Sequence, residues 1–478
     1  MGHLGPMVEM ARRLIGRDDR LSITVLLMKT PLDKSNITST TESLVLTAAG
    51  DRLKFVHLPQ QDEALAKLLS EDPVSVNFFS EMVRMNKQHV RDHVREIMAS
   101  TESTRLAGFV VDILCTPMME VAAEFGLPSY AFIASNCAFL GLIFHLETLS
   151  QDHGQDVTEL NDSDAELEVP VFVNPVPATA LPFVADKEGG STFVMEIARR
   201  LRETKGILVN TFEELESYPV RCLMEDNNVP LIYPVGPVLR LAKDKSEEEE
   251  EVIQIMGWLD DQPPSSVVFL CFGSEGILEE DQVREIAQAL EQCGHRFLWS
   301  VRQPPPKGKI ATLGEYKDLS HVLPEGFLKR TTTIGKVIGW APQVAVLSHK
   351  AVGGFVSHCG WNSTLESLWY GVLMATWPLY AEQQMNAFQL VRELGLAVEI
   401  KLDYRKESRT SEVKLVTANE IENGIRKLMG SENKSSEEIK QKVKEMSEKS
   451  KVAVQEGGSS YNYIGRFIED IINNVHSP

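Results

Sequence analysis

Between residues 352 and 366 the chain reads VGGFVSHCGWNSTLE, an apolar run that ends in Ser357-His358-Cys359-Gly360 and passes into a helical stretch from about Asn362. In α/β proteins ligands sit beyond the carboxyl ends of strands, where a following helix offers free N–H groups and roughly half a positive charge. Such a turn suits a phosphate anion. Gly360 lets the backbone come close, His358 offers an imidazole N–H, and Asn362 and Ser363 add side-chain and backbone donors. Phe272-Gly273-Ser274-Glu275-Gly276 closes another strand and can bring Ser274 to the same anion, so two donor loops point to a diphosphate. Taken alone, Asn362 and Ser363 would do no more than cap their own helix.

Glu366 stands one helical turn beyond Asn362, on the same face. Its carboxylate would repel phosphate but can accept both hydroxyls of a ribose, at about 1.5–3 kcal/mol for a charge-assisted bond. Trp340, ending KVIGW, offers a flat face to a nucleobase, worth about 1–3 kcal/mol. Each has a plainer reading, Trp340 as core and Glu366 as a solvated helix residue; their joint spacing favours base, ribose and diphosphate together. GxGxxG after a strand, GxxxxGKS/T and HExxH are all absent, which argues against dehydrogenase, P-loop NTPase and zincin chemistry. No acidic pair stands at metal-ligand spacing near the anion loops, so protein donors are expected to replace a divalent cation, and no metal site is assigned.

The elements that position these residues alternate along the chain. Apolar runs at 21–28, 52–58, 106–115, 129–135 and 205–212 read as strands, with helical periodicity at 7–14 and as one stretch at 76–98. Residues 150–168 are polar and read as a loop. A proline-rich and then acidic segment near 230–252 reads as a solvated linker, after which SVVFLCFGS opens a second alternation. The tail at 435–475 reads as two helices. The expected architecture is α/β, two doubly wound domains. They span 1–235 and 253–455, with a linker at 236–252 and a final helix at 456–478 returning to the first domain.

Composition limits the partners. At 478 residues the chain can bury two sizeable cores, and a net charge of −20 argues against nucleic acid and anionic membranes. No run approaches the ~18–20 apolar residues of a membrane span, no signal peptide is visible, and the six cysteines form no CxxC pair. A cytosolic monomer is expected.

The 44 residues from Trp340 to Gln383, with their W-A-P-Q opening, H-C-G-W-N-S centre and E-Q close, resemble the signature box of plant family 1 UDP-dependent glycosyltransferases. The resemblance spans nearly the whole chain and is nearest to the branch that glucosylates flavonoids and other small phenolic or terpenoid alcohols. It implies the two-domain GT-B fold, with UDP-glucose as donor substrate and no metal or other cofactor. By that resemblance Trp340 stacks on uracil, and Ala341 and Gln343 meet its edge through the backbone. His358, Gly360, Asn362, Ser363 and Ser274 bind the diphosphate, Glu366 the ribose, and Glu382 and Gln383 the sugar hydroxyls, with Trp361 flanking the sugar. Gln383 in the closing place is like that of glucose users. Gly2-His3-Leu4-Gly5-Pro6 matches the family's catalytic segment, making His3 the general base and Asp112 its orienting carboxylate. Phe78, Phe79, Phe139, Phe144 and Phe183 are candidates for the acceptor pocket, or for core.

Three departures are notable. Family members carry an apolar strand and a turn before the catalytic histidine, whereas here two residues precede His3, so the first sheet is expected to lack a central strand and leave its neighbours unpaired. A UDP-sugar-binding protein impaired in catalysis is therefore the alternative reading. Leu373 replaces the usual Pro, and Glu275 puts a carboxylate in the donor turn, useful only if it points away.

Overall fold

The structure is a computed structural model and describes residues 2–28, 50–59, 76–100, 105–160, 165–181, 190–241, 250–304, 314–404, 415–430 and 434–476. Phe183 and residues 242–249 of the expected linker lie outside these residues. In the second half, β9 (Val267–Cys271), β10 (Arg296–Ser300), β11 (Gly335–Ile338), β12 (Val352–Ser357), β13 (Leu373–Thr376) and β14 (Ala397–Glu399) form one sheet in the order β11-β10-β9-β12-β13-β14. Every pairing is parallel. Helices cover a parallel sheet on both faces, which is why β9 is a continuous apolar run, VVFLC, buried at all five positions.

The chain winds outward from β9 to β11, then returns to the other side of β9 as β12. That reversal is the switch point, where neighbouring connections leave in opposite directions and open a crevice. Ser357 is paired with Cys271. The loops after β9 and β12 therefore emerge side by side, which places Gly273 against the His358 ring. Leu373, where Pro would have no N–H, opens β13 in register with Gly354 and is 2% exposed.

In the first half, β3 (Phe109–Asp112), β4 (Ser129–Ile133), β7 (Gly206–Val209) and β8 (Leu231–Pro234) make a parallel sheet in that order. β1 (Ile23–Leu27) and β2 (Leu53–His57) form a separate parallel pair. Among the described residues the two groups share no ladder, so the lobe is held by side-chain packing: Leu26 and Leu58 join one core with Val111 and Ile133. The two-residue strands β5 (Glu166–Leu167) and β6 (Val176–Pro177) pair antiparallel.

Five helices bound the cleft or hold it: α1 (Leu4–Arg17), α2 (Cys137–His153), α3 (Gln343–Ser348), α4 (Trp361–Tyr370) and α5 (Gln383–Phe388). The final helix, α6 (Ser459–His476), packs Ile464, Phe467 and Ile468 among Met10, Leu14, Tyr130 and Tyr233 of the first lobe. Two expectations need correction. The stretch at 76–98 is two helices, Val76–Met85 and Lys87–Ala99, broken where the Asn86 side-chain amide donates to the Met82 carbonyl at 2.9 Å. The polar segment from 150 is not all loop, because α2 runs to His153 before Gly154 ends it at φ 63°.

Candidate active site

His3 occupies the position before the first turn of α1. Its Nδ1 lies 2.8 Å from Asp112 Oδ2. Asp112 ends β3, is 9% exposed, and is fixed by its other oxygen, which accepts the Leu114 N–H at 2.9 Å. A carboxylate accepts only, so Nδ1 carries the ring proton and Nε2 keeps its lone pair. The charge of Asp112 raises the imidazole's pKa against the opposing effect of burial, and the Glu382 carboxylate raises it further. The His3 side chain keeps 48% of its surface open. The imidazole is held in one tautomer and is still reachable.

Across the cleft, no side chain caps α4; Gly360 precedes it with extended backbone, φ −60° and ψ 139°. Its first intrahelical bond runs from Thr364 N–H to Gly360 O at 3.0 Å, so the N–H groups of the preceding turn are left for a ligand. Asn362 and Ser363 do not cap it. Asn362 Nδ2 donates to Gly2 O at 2.7 Å while its Oδ1 finds no protein partner, and Ser363 Oγ accepts from Gln343 Nε2 at 2.8 Å.

His358 is 6% exposed, and burial pushes its pKa down to about 4, so the ring is neutral at pH 7. Its Nε2 is wedged between two glycines: a β-carbon on either Gly273 or Gly360 would stand 2.6 Å from that nitrogen. Gly273 also has φ 77°, which a side chain would strain. Nδ1 of His358 is buried without a protein partner. Ser274 and Glu275, the next residues of the β9 turn, are both exposed.

Glu366 is half-buried, and loss of water pushes its carboxyl up to about 7. Gln343 Nε2 bridges Glu366 Oε2, at 2.7 Å, and Ser363. Sequence reasoning gave Gln343 a backbone role only; the side-chain bridge joins α3 to α4 across twenty residues of sequence, which no local pattern signals. Trp340 is 43% exposed and Ala341 7%. The Trp340 N–H is held by Glu315 Oε1 at 3.0 Å, another contact without a sequence signal.

Glu382 Oε1 faces Ser135 Oγ of the first lobe at 3.4 Å. Gln383 is 3% exposed, and its Oε1 accepts the N–H groups of Leu379 and Tyr380 at 2.9 and 3.0 Å, tying the β13 loop to α5. Trp361 is 2% exposed and gives its indole N–H to Asn210 O of the first lobe at 2.7 Å, which makes it part of the joint between lobes. Of the phenylalanines, Phe78 and Phe144 are buried in the first lobe, and Phe139 is half-buried. Among the described residues no group of three His, Cys, Asp or Glu could hold a metal ion.

Two Rossmann-type lobes facing one cleft, one offering an uncapped helix end at its switch point and the other a His–Asp pair, have the architecture of a GT-B glycosyltransferase. Comparison with known proteins agrees. The family described as UDP-glucoronosyl and UDP-glucosyl transferase matches residues 228–432. UDP-glycosyltransferase 71E1 of Stevia rebaudiana is 53% identical over 99% of this chain and 96% of its own. UDP-glucose flavonoid 3-O-glucosyltransferase 6 of Fragaria ananassa is 51% identical over 98% and 96%. The crystal structure of a UGT transferase from Siraitia grosvenorii in complex with UDP superposes with a TM-score of 0.85 at 46% identity, over 98% of this chain and 97% of its own. The chain belongs to the UDP-glycosyltransferase family, and it is an enzyme of that type.

Proposed function

We propose that the protein is an inverting glucosyltransferase that moves glucose from UDP-glucose to a hydroxyl of a small lipophilic acceptor, a flavonoid, phenolic or terpenoid. The observation that carries this reading is the 2.8 Å contact between His3 Nδ1 and Asp112 Oδ2, which leaves Nε2 as the base. The similarity to UDP-glucose flavonoid 3-O-glucosyltransferase 6 of Fragaria ananassa supports the substrates.

In this reading the acceptor oxygen attacks the anomeric carbon as its proton passes to His3 Nε2. The new C–O bond forms while the bond to UDP breaks, so an α-linked donor yields a β-glycoside. An alcohol is a poor nucleophile until a base takes its proton, an effect worth about 10²–10⁴ in rate. Asp112 holds the tautomer and offsets the charge that His3 acquires. The leaving diphosphate gains negative charge against the α4 N-terminus, His358, Asn362, Ser363 and Ser274, donors already in place when that charge develops. Trp340 stacks on the base with Ala341 and Gln343 at its edge, Glu366 takes the ribose hydroxyls, and Glu382 and Gln383 meet the sugar beside Trp361. The lobes divide near 236–252, and 456–478 belongs with the first. A monomer in the cytosol fits six free cysteines and, among the described residues, no helix long and apolar enough to cross a membrane.

Incubation with a panel of UDP-sugars and phenolic acceptors, followed by mass spectrometry, should give a hexoside from UDP-glucose. His3→Ala should abolish transfer and leave UDP affinity within about twofold. Loss of both in parallel would contradict the base assignment, and UDP binding by the unaltered chain without any product would favour a binding protein.

A further inference from the structure

The joint between the lobes carries a chain of side-chain amides whose direction is set at both ends. Asn136, in the first lobe, accepts the Phe139 N–H through Oδ1 at 2.7 Å and so caps α2. Asn386, on α5, donates through Nδ2 to the Cys359 carbonyl at 3.0 Å. Between them Asn136 Nδ2 donates to Asn386 Oδ1 at 2.7 Å. A backbone N–H only donates and a carbonyl only accepts, so neither amide can flip without losing bonds at both of its ends. Both asparagines are 0% exposed, which leaves no water to replace a lost bond.

The far end of this relay is conformationally costly. Cys359 has φ 64°, a left-handed backbone that a non-glycine residue keeps only when its surroundings impose it. Its carbonyl and the Gly360 N–H belong to one planar trans peptide and point in opposite directions, so fixing one fixes the other. Gly360 is the residue that opens α4 and flanks the His358 ring.

We propose that Asn136 is a positioning residue for the donor: acting through Asn386, it sets the Cys359–Gly360 peptide and with it the donors that the second lobe turns toward the diphosphate. The acceptor-side lobe thus tightens donor binding without touching the donor. The inference rests on the reading of residues 357–363 as the diphosphate site.

Asn136→Ser is the test, because serine caps a helix about as well as asparagine but is too short to reach Asn386. The expected result is a melting temperature lowered by no more than about a few degrees, with the UDP Kd and the UDP-glucose KM raised about threefold to tenfold, the worth of one ordinary hydrogen bond. Inhibition by uridine, which lacks the diphosphate, and the acceptor KM should not move. Asn386→Ser should weaken UDP at least as much, and adding Asn136→Ser to it should have no further effect. Unchanged UDP affinity in either variant, additive losses, or equal weakening of uridine and acceptor would each overturn the proposal. If Asn136→Ser fails to fold, Asn386→Ser decides alone by the same UDP-against-uridine comparison. His358→Ala separates the two levels: if it leaves UDP affinity intact the diphosphate site itself is misplaced, whereas weakening there with no effect at Asn136 and Asn386 refutes only the relay.

Discussion

A histidine beside a carboxylate titrates as the pair dictates. Asp112 favours the imidazolium, so His3 keeps its proton above the ordinary 6.5 and the base form is lost as pH falls through the raised value. kcat/KM should therefore decline on the acid side from a pH above 6.5. Asp112→Asn removes the charge, so that limb should move to lower pH while the plateau drops by about 10²- to 10⁴-fold. A limb that stays in place would show that the titrating group is not His3. Glu366 gives a second residue-scale prediction. Burial holds its carboxyl up to about 7, so its protonated form is the one the empty fold tolerates, and that stability is fully present below pH 4.5 and lost as pH rises through about 7. Ribose hydroxyls prefer the ionised form. Uridine, which has no phosphate to titrate, should bind more tightly at pH 8 than at pH 6, and Glu366→Gln should flatten that dependence while raising the melting temperature more at pH 8 than at pH 5. Residue type and local spacing single out His358 and Glu366, whereas His3 and Asp112 are reached only through the resemblance to the glycosyltransferase family. The protonation of His3, His358 and Glu366 was not open to sequence reasoning, since that depends on burial and on Asp112, Glu382 and Gln343 brought up by the fold.

At the scale of elements, α5 is shared between the lobes. It begins at Gln383 in the second lobe's chain, yet Met385 and Phe388 lie in the first lobe's core, and Phe388 meets Phe172 edge-on with ring centroids 5.8 Å apart. Beyond it, Gln389 Nε2 reaches the buried carboxylate of Glu216 at 2.7 Å, which also accepts the Cys137 and Ala138 N–H groups at 2.9 and 3.0 Å. α5 therefore carries the proposed sugar contacts on a support built by the other lobe. Phe388→Ala should cost about 3–5 kcal/mol in a urea titration. It should also raise the KM for UDP-glucose more than it weakens UDP, because the proposed sugar contacts sit on α5 itself whereas the diphosphate depends on it only through Asn386; equal effects would assign the loss to general loosening. Strand alternation and the glycine-punctuated turns made most of these elements legible, since they follow from short-range periodicity. The joint was not legible: Asn136 and Asn386 are 250 positions apart and Trp361 and Asn210 are 151 apart, and nothing in either segment names its partner. The break at Asn86 was missed for a different reason, because the apolar period runs on through it.

For the whole molecule, the tail is a strap from the second lobe back to the helix that follows His3. The helix Lys434–Ala453 contributes Val443 to the second lobe's core, and α6 then crosses to the first lobe. Phe467 is 0% exposed and packs edge-on against Tyr130 and Tyr233, at centroid distances of 5.1 and 5.4 Å. Tyr233 is further bonded to Asp470, and Arg17 at the end of α1 lies over the Tyr461 ring at 3.5 Å. Since Met10 and Leu14 of α1 share this cluster, α6 fixes the helix that starts at His3. Phe467→Ala should remove about 3–5 kcal/mol from the first lobe, lowering the temperature at which transfer fails by roughly 10 °C. The second lobe's cluster does not include Phe467, so UDP should still raise the melting temperature of that lobe by binding its folded state. Transfer and the UDP-induced shift, followed together on one heating series, should separate in the variant and coincide in the unaltered chain; loss of both at one temperature would mean that the lobes unfold as a single unit and that the strap does not act on His3 in particular.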